Sequence, residues 1–173
     1  MGPPVFFGAG YDMTYATTDL CDDHGEKVRV LEASFISLGG KAAFHGPVLT
    51  IKTFEDNTKV RATLETPGEG RVMVVDGGGS TRCALFGGNL AVLAAKNGWA
   101  GVVINGCARD ADEIDAEAVG VKALGLCPRK SVKSDLGTLD VPVRFAGQTI
   151  NPGDWLYADR DGVIVASEPV HEG

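Results

Sequence analysis

Two short stretches in the middle of the chain are apolar at nearly every position. Arg71–Asp76 reads RVMVVD and Gly101–Asn105 reads GVVIN. Runs this short, β-branched and bounded by turn residues, predict strands buried on both faces, as in a parallel sheet. Between them lies GGGSTRC, and then a helical pattern in Leu90, Val92, Leu93, Ala94 and Ala95, for which Asn97-Gly98 supplies a C-terminal stop. Strand, helix and strand in succession predict a βαβ unit, whose crossover is nearly always right-handed. The loops after Asp76 and after Asn105 then emerge at the same, carboxyl end of neighbouring strands. Sites in open α/β sheets form there.

The flanks carry other patterns. Thr17-Thr18-Asp19 before Leu20-Cys21 predicts a short capped helix. AAFHGPVLTIKTF ends in a strand-like run through Val48, Leu49, Ile51 and Phe54, and DNTKVRATL (Asp56–Leu64) predicts a helix capped by Asp56 or Asn57. Val141–Phe145 is a short strand. NPGDWLYADRDGVIVAS then supplies a Pro-Gly turn, a strand (Trp155–Ala158), an Asp161-Gly162 turn and a strand (Val163–Ala166), the signature of a hairpin. There are no repeats and no linker-like segment, so 173 residues imply one domain, 1–173, with residues 1–13 as an extended N-terminal arm.

Charge narrows the choice of partner. The net charge is -7, and nucleic acid as a direct partner would need a basic face. The one basic cluster, Arg129, Lys130 and Lys133, sits in a Gly/Pro-bounded loop and reads as solvated. The four cysteines (Cys21, Cys83, Cys107, Cys127) form no CxxC pair and read as reduced thiols of a cytoplasmic protein. His24, His45 and His171 are too scattered for a zinc site. No apolar run approaches the ~18 residues of a membrane span, and Met1–Met13 lacks the basic start of a secretory signal.

Three segments could carry chemistry. VVDGGGSTR places glycines after a strand, but a dinucleotide site wants GxGxxG opening directly into a helix. A methyl-donor loop is the related alternative, on a chain short for that fold; a tight turn is the plain reading. Gly87-Gly88-Asn89-Leu90 sits at the start of the predicted Leu90–Asn97 helix. Amides without helical partners there suit a carboxylate or phosphate, while Asn89 as an ordinary N-cap suits the same residues. Arg109-Asp110-Ala111-Asp112-Glu113 has the spacing of a capping box in extended form. Equally, Arg109 offers a fork for a carboxylate, and Asp110 and Glu113 offer hard oxygen ligands. Local sequence leaves both readings open.

In order and spacing, VVDGGGSTR, GGNLAVLAAKNGWAGVVINGCARD and PGDWLYADRDGVIV resemble the RraA family, over about Thr17 to Ser167. That family holds regulators of ribonuclease activity and the class II 4-hydroxy-4-methyl-2-oxoglutarate aldolases. The resemblance implies an α/β fold, a compact β/β/α sandwich of the swivelling-domain type containing the βαβ unit and the C-terminal hairpin. It also implies a ring-shaped homotrimer with sites near subunit interfaces. A lyase pattern of the family (Gly, twenty residues, Arg-Asp, two residues, acid) fits Gly88, Arg109-Asp110 and Glu113. The aldolases of protocatechuate breakdown carry Asp in place of Gly88, so the chain departs from them there, and Glu113 is the candidate replacement. Ribonuclease-inhibiting members break the Arg-Asp pair, which is intact here.

The activity that the resemblance implies is that of a divalent-metal-dependent C–C lyase on 2-oxo acids. It would cleave 4-hydroxy-4-methyl-2-oxoglutarate to pyruvate, or decarboxylate oxaloacetate, through a metal-stabilised pyruvate enolate. Arg109 and Asp110 would be catalytic, and Gly87, Gly88, Asn89, Leu90 and Arg109 would bind substrate. Asp110 and Glu113 would hold Mg²⁺ or Mn²⁺, and a water on the site acids would serve as base. The alternative is a non-catalytic inhibitor of ribonuclease E that binds its scaffold region, an acidic surface suiting an Arg-rich partner.

Overall fold

The computed structural model describes residues 14–171; the expected arm over 1–13 lies outside the described residues. In chain order, α1 (Thr17–His24) leads to β1 (Val28–Val30), β2 (Ile36–Leu38) and the long β3 (Phe44–Lys52). Next come α2 (Thr58–Leu64), β4 (Val72–Asp76), β5 (Ala84–Phe86), α3 (Gly88–Lys96), β6 (Gly101–Asn105) and β7 (Cys107–Ala108). After them lie α4 (Ala111–Asp115), β8 (Gly120–Ala123) and β9 (Gly125–Leu126). The last part is all strand: β10 (Thr138–Leu139), β11 (Val143–Phe145), β12 (Gln148–Ile150), β13 (Trp155–Asp159) and β14 (Gly162–Ala166).

The main sheet runs β1-β14-β13-β3-β4-β6-β8-β2, with β10 added against β3. Its centre, β3-β4-β6-β8, is parallel, and antiparallel strands flank it on both sides. The βαβ unit is present, with Val72 opposite Gly101 and Asp76 opposite Asn105. Its apolar runs are continuous because both faces are covered. Met73 and Val75 join the core under the helices, with Val60, Leu64, Leu90, Ala94 and Ile114. Val72 and Val74 point the other way, toward Val143, Phe145 and Ile150 of the β11-β12 hairpin and Leu156, Val163 and Val165 of the curled wing. Each such side chain contributes about 1.5–3 kcal/mol on leaving water. Helices on one face and a second layer of strands on the other make the expected β/β/α sandwich.

One buried charge ties the curl together. Lys122 on β8 is 3% exposed, and its ammonium donates to Ser37 Oγ on β2 and to the main-chain oxygen of Asp159 at the end of β13. Burial holds its pKa below the usual lysine value, against the pull of the Asp159 carboxylate.

Several boundaries differ from those the sequence pattern predicts. Phe54 lies past the end of β3 and is 51% exposed. Asn57 precedes α2, yet the Asp56 carboxylate satisfies its first turn, accepting from Thr58 N at 2.8 Å. The final strands pair through Asp159 and Gly162, so Arg160-Asp161 form the turn. The strand expected from Val141 begins at Val143. Among the described residues, no helix is long and apolar enough to cross a membrane.

Candidate functional site

The site depends on a small parallel sheet, β5-β7-β9, above the carboxyl ends of the main strands. After β6 a single residue, Gly106, turns the chain into β7; after β8, Leu124 turns it into β9 and donates its N–H to Gly106 O at 2.9 Å. Because β5 and β7 pair in parallel, with Phe86 opposite Ala108, the residues that come after each of them emerge together. Those residues are Gly87-Gly88 and Arg109-Asp110. Sequence reasoning put Arg109 and Asp110 beyond the GVVIN strand and missed this intervening layer.

Helix α3 begins two residues before its expected start, with Gly87 as N-cap and Gly88 as its first residue. Asn89 therefore lies inside the helix and is not its cap. The first-turn amides have no partner within the helix, and one of them, Gly88 N–H, donates to Asp110 Oδ2 at 3.0 Å. Gly87 is extended (φ -140°), so backbone freedom is not why it is glycine. Close approach is the reason. A Cβ on Gly87 would lie 2.9 Å from Asp110 Oδ2 and 3.3 Å from Arg109 Cγ. A Cβ on Gly88 would lie 2.0 Å from Glu113 Oε2.

Asp110 settles the capping question. It precedes α4 in the left-handed conformation (φ 61°, ψ 50°), and no side-chain hydrogen bond caps that helix. For a residue with a Cβ this backbone costs on the order of 1 kcal/mol or more, though Asp tolerates it better than most. The conformer turns the carboxylate away from its own helix and onto the start of α3. The capping box is thus not formed. Of the neighbouring acids, Asp112 is exposed. Asp115 does more than face solvent, since it accepts from Gly39 N at 2.8 Å.

Arg109 is half-buried, with its N–H on Phe86 O at 2.9 Å and Nη1 3.4 Å from Pro128 O. Together with Gly87, Gly88, Asn89, Leu90 and Asp110 it lines a shallow cleft of about 80 Å³. Three other residues complete that cleft: Asn57, Arg61 and Lys133. Sequence reasoning missed them, and it treated Lys133 as a solvated loop residue. Lys133 is exposed, but its Nζ reaches Asn57 Oδ1 at 3.4 Å across the cleft wall.

The residues present suit a hard divalent cation better than zinc. No group of three or more His, Cys, Asp or Glu gathers as a metal cage among the described residues. Asp110 instead offers a carboxylate lining the open cleft, and Glu113, which does not line it, lies beside Gly88 at its edge; Mg²⁺ commonly takes one or two carboxylates with water and substrate completing its shell. Glu113 fills the space that a side chain at position 88 would occupy, which makes it a spatial substitute for an acid there.

The glycine loop after β4 is a tight turn. Gly77 and Gly79 donate to Asn105 O, and Gly78 donates to Asp76 Oδ1. Glu55 pins the rest of the loop by accepting from Ser80 Oγ and from both Nε and Nη2 of Arg82. All three glycine amides are therefore spent on the protein itself.

The family model RraA-like (Aldolase/RraA) matches residues 17–165. A protein of Alkalilimnicola ehrlichii named "Putative 4-hydroxy-4-methyl-2-oxoglutarate aldolase" is 60% identical over 154 residues, 89% of this chain and 96% of that protein. A solved structure described as S-adenosylmethionine: 2-dimethylmenaquinone methyltransferase, from Geobacillus kaustophilus, aligns with a TM-score of 0.90 at 48% identity, covering 92% of this chain and 99% of the other. The RNA-processing inhibitor RraA from Thermus thermophilis aligns with a TM-score of 0.87 at 46% identity, covering 91% and 95%.

Proposed function

The chain belongs to the RraA-like family, and from that membership we propose that it is a divalent-metal-dependent lyase that cleaves 4-hydroxy-4-methyl-2-oxoglutarate to pyruvate and decarboxylates oxaloacetate. The observation that carries the reading is the convergence of Arg109, Asp110 and Glu113 on the open start of α3, where glycines at 87 and 88 make room for them. Asp110 and Glu113 hold Mg²⁺ or Mn²⁺, which when bound supplies Lewis acidity toward the keto oxygen of a 2-oxo acid. Arg109 and the amides of Asn89 and Leu90 hold the substrate carboxylate. As the C3–C4 bond breaks, its electron pair moves toward the keto oxygen, and the fixed Arg109 guanidinium stabilises the growing enolate charge. The C4 hydroxyl proton passes to a water held by the site acids, releasing one pyruvate, and return of a proton from that water to C3 of the enolate gives the second.

A methyl-transfer reading finds less support in this chain. The amides of its glycine loop are already occupied by the protein itself. The test is pyruvate release from both substrates, with and without Mg²⁺ or Mn²⁺. Arg109→Lys is expected to lower kcat about 10²-fold, the scale for one lost preorganised donor. No pyruvate from the wild type, or full activity in Asp110→Ala, sinks the idea.

The Thermus relative is described as an RNA-processing inhibitor, and as a second reading we propose inhibition of ribonuclease E through its scaffold. A net charge of -7 suits an Arg-rich segment. Salt-sensitive pull-down that survives Arg109→Ala would place that function on a separate surface, and no pull-down would remove it. For assembly we favour the homotrimer: Phe54, Leu126, Val132 and Leu136 are each more than half exposed, apolar area that association would cover. A monomer in sedimentation equilibrium rules this out.

A further inference from the structure

Beyond Arg109 the cleft has a second cationic wall, built from two segments far apart in sequence. Arg61 comes from α2, and Lys133 from the loop before β10. We propose that Arg61 and Lys133 form an anion subsite for a second carboxylate, so that the cleft selects 2-oxo dicarboxylic acids over 2-oxo monocarboxylic acids. The assignment of the other end of the ligand, the 2-oxo carboxylate at Arg109, rests on the lyase reading above.

The wall is held in place by a buried carboxylate. Asp56 is fully buried and accepts from Thr58 N and Thr58 Oγ1 at the start of α2, and from Ser134 N at 2.6 Å in the Lys133 loop. Asn57 N donates to Ser131 Oγ at 3.1 Å, a second tie between the same two segments. Lys133 is further steadied by Asn57 Oδ1. Arg61 contacts Glu65 through Nε alone in that ion pair, and it lines the cleft beside Lys133. These cations sit on a framework fixed from below.

Charge balance points to the ligand. Arg61, Arg109 and Lys133 are matched by Glu65, Asp110 and Glu113, so a divalent cation in the cleft leaves two positive charges in excess. A dicarboxylate neutralises both, whereas a monocarboxylate leaves one. Arg and Lys heads reach a carboxylate by charge-assisted hydrogen bonds, the stronger kind.

The experiment is isothermal titration calorimetry in Mg²⁺ buffer with 2-oxoglutarate and 2-oxopentanoate, five-carbon 2-oxo acids that differ in the distal carboxylate. The wild type is expected to bind 2-oxoglutarate about tenfold or more tightly, the scale of one hydrogen bond to a charged group. Arg61→Gln and Lys133→Gln should each reduce that preference, and the double variant should abolish it, with 2-oxopentanoate affinity unchanged throughout. Equal wild-type affinities, binding of neither acid, or an equal loss of both in the variants overturns the subsite. Pyruvate release is measured in parallel so that the two ideas fail separately. Preference without lyase activity retires the lyase and keeps the subsite; activity without preference does the reverse.

Discussion

If Glu113 occupies the place of an acid at position 88, then restoring that acid should set the two against each other. Gly88→Asp puts a Cβ 2.0 Å from Glu113 Oε2 and 2.9 Å from Glu113 Cβ. The tip of Glu113 can swing into solvent, but its Cβ is fixed to α4, so the contact is only partly relieved. Two carboxylates about 4 Å apart repel by about 1 kcal/mol in bulk water and about 4 kcal/mol at an effective dielectric of 20. Glu113 is exposed, which favours the lower end, about 1–2 kcal/mol. Against this, an acid at a helix start gains about 0.3–1 kcal/mol from the dipole. The charge terms alone therefore have Gly88→Asp destabilise by about 1 kcal/mol, and the unrelieved Cβ contact adds to that. In a Glu113→Ala background the repulsion is gone while the 2.9 Å Cβ contact remains, so the same change should cost about 1–2 kcal/mol less. The coupling expected from the four proteins is about 1–2 kcal/mol, read from urea unfolding midpoints in chelator-treated buffer. Additivity within about 0.5 kcal/mol, the norm for independent sites, would refute the claim that Glu113 stands in for the missing acid.

Burial pushes the Asp56 carboxyl up, but hydrogen bonds from Thr58, Ser134 and Leu136 outweigh it and hold its pKa below the ordinary value. Its contribution to stability is then full above the unfolded Asp pKa of about 3.9 and fades as pH falls through the lower folded value. Asp56→Asn should flatten the wild-type loss of urea resistance as pH falls below about 4; an unchanged slope would count against the clamp. Lys122→Met keeps most of the side-chain volume but removes the donor to the Asp159 carbonyl and to exposed Ser37 Oγ, leaving the carbonyl without that partner. It should lower stability by about 1–3 kcal/mol, and a variant as stable as the wild type would show that the cross-sheet tie contributes nothing. Burial pushes the thiols of Cys83 and Cys107 up, so they should react with a disulfide reagent at neutral pH only after unfolding, and rapid labelling of the native protein would contradict that.

Legible in the sequence were the features that repeat within a few residues. Val72–Asp76 and Gly101–Asn105 read as doubly buried strands because their burial is continuous, and the Trp155–Ala166 hairpin announced itself by its turn. The strands that build the site are two or three residues long, too short to show a period. Their existence depends on pairing between segments, as does the break at Gly106. Arg109, Asp110 and Glu113 were found through local spacing. The same spacing also suggested a capping box, because a sequence pattern cannot reveal that Asp110 takes a left-handed backbone. Arg61 and Lys133 were out of reach altogether, since their meeting is arranged by Asp56, which bonds Ser134 across a separation of 78 positions. On the proposed anion subsite, that hidden arrangement sets where specificity should evolve. The Arg109 end of the cleft is constrained by contacts that a single added Cβ would break. The far end hangs on one buried carboxylate, with exposed Lys133 and solvent-facing Arg61 free to change without disturbing it. Members of the family that share the glycine pair and the Arg-Asp step should therefore differ in substrate chiefly at the positions of Arg61 and Lys133.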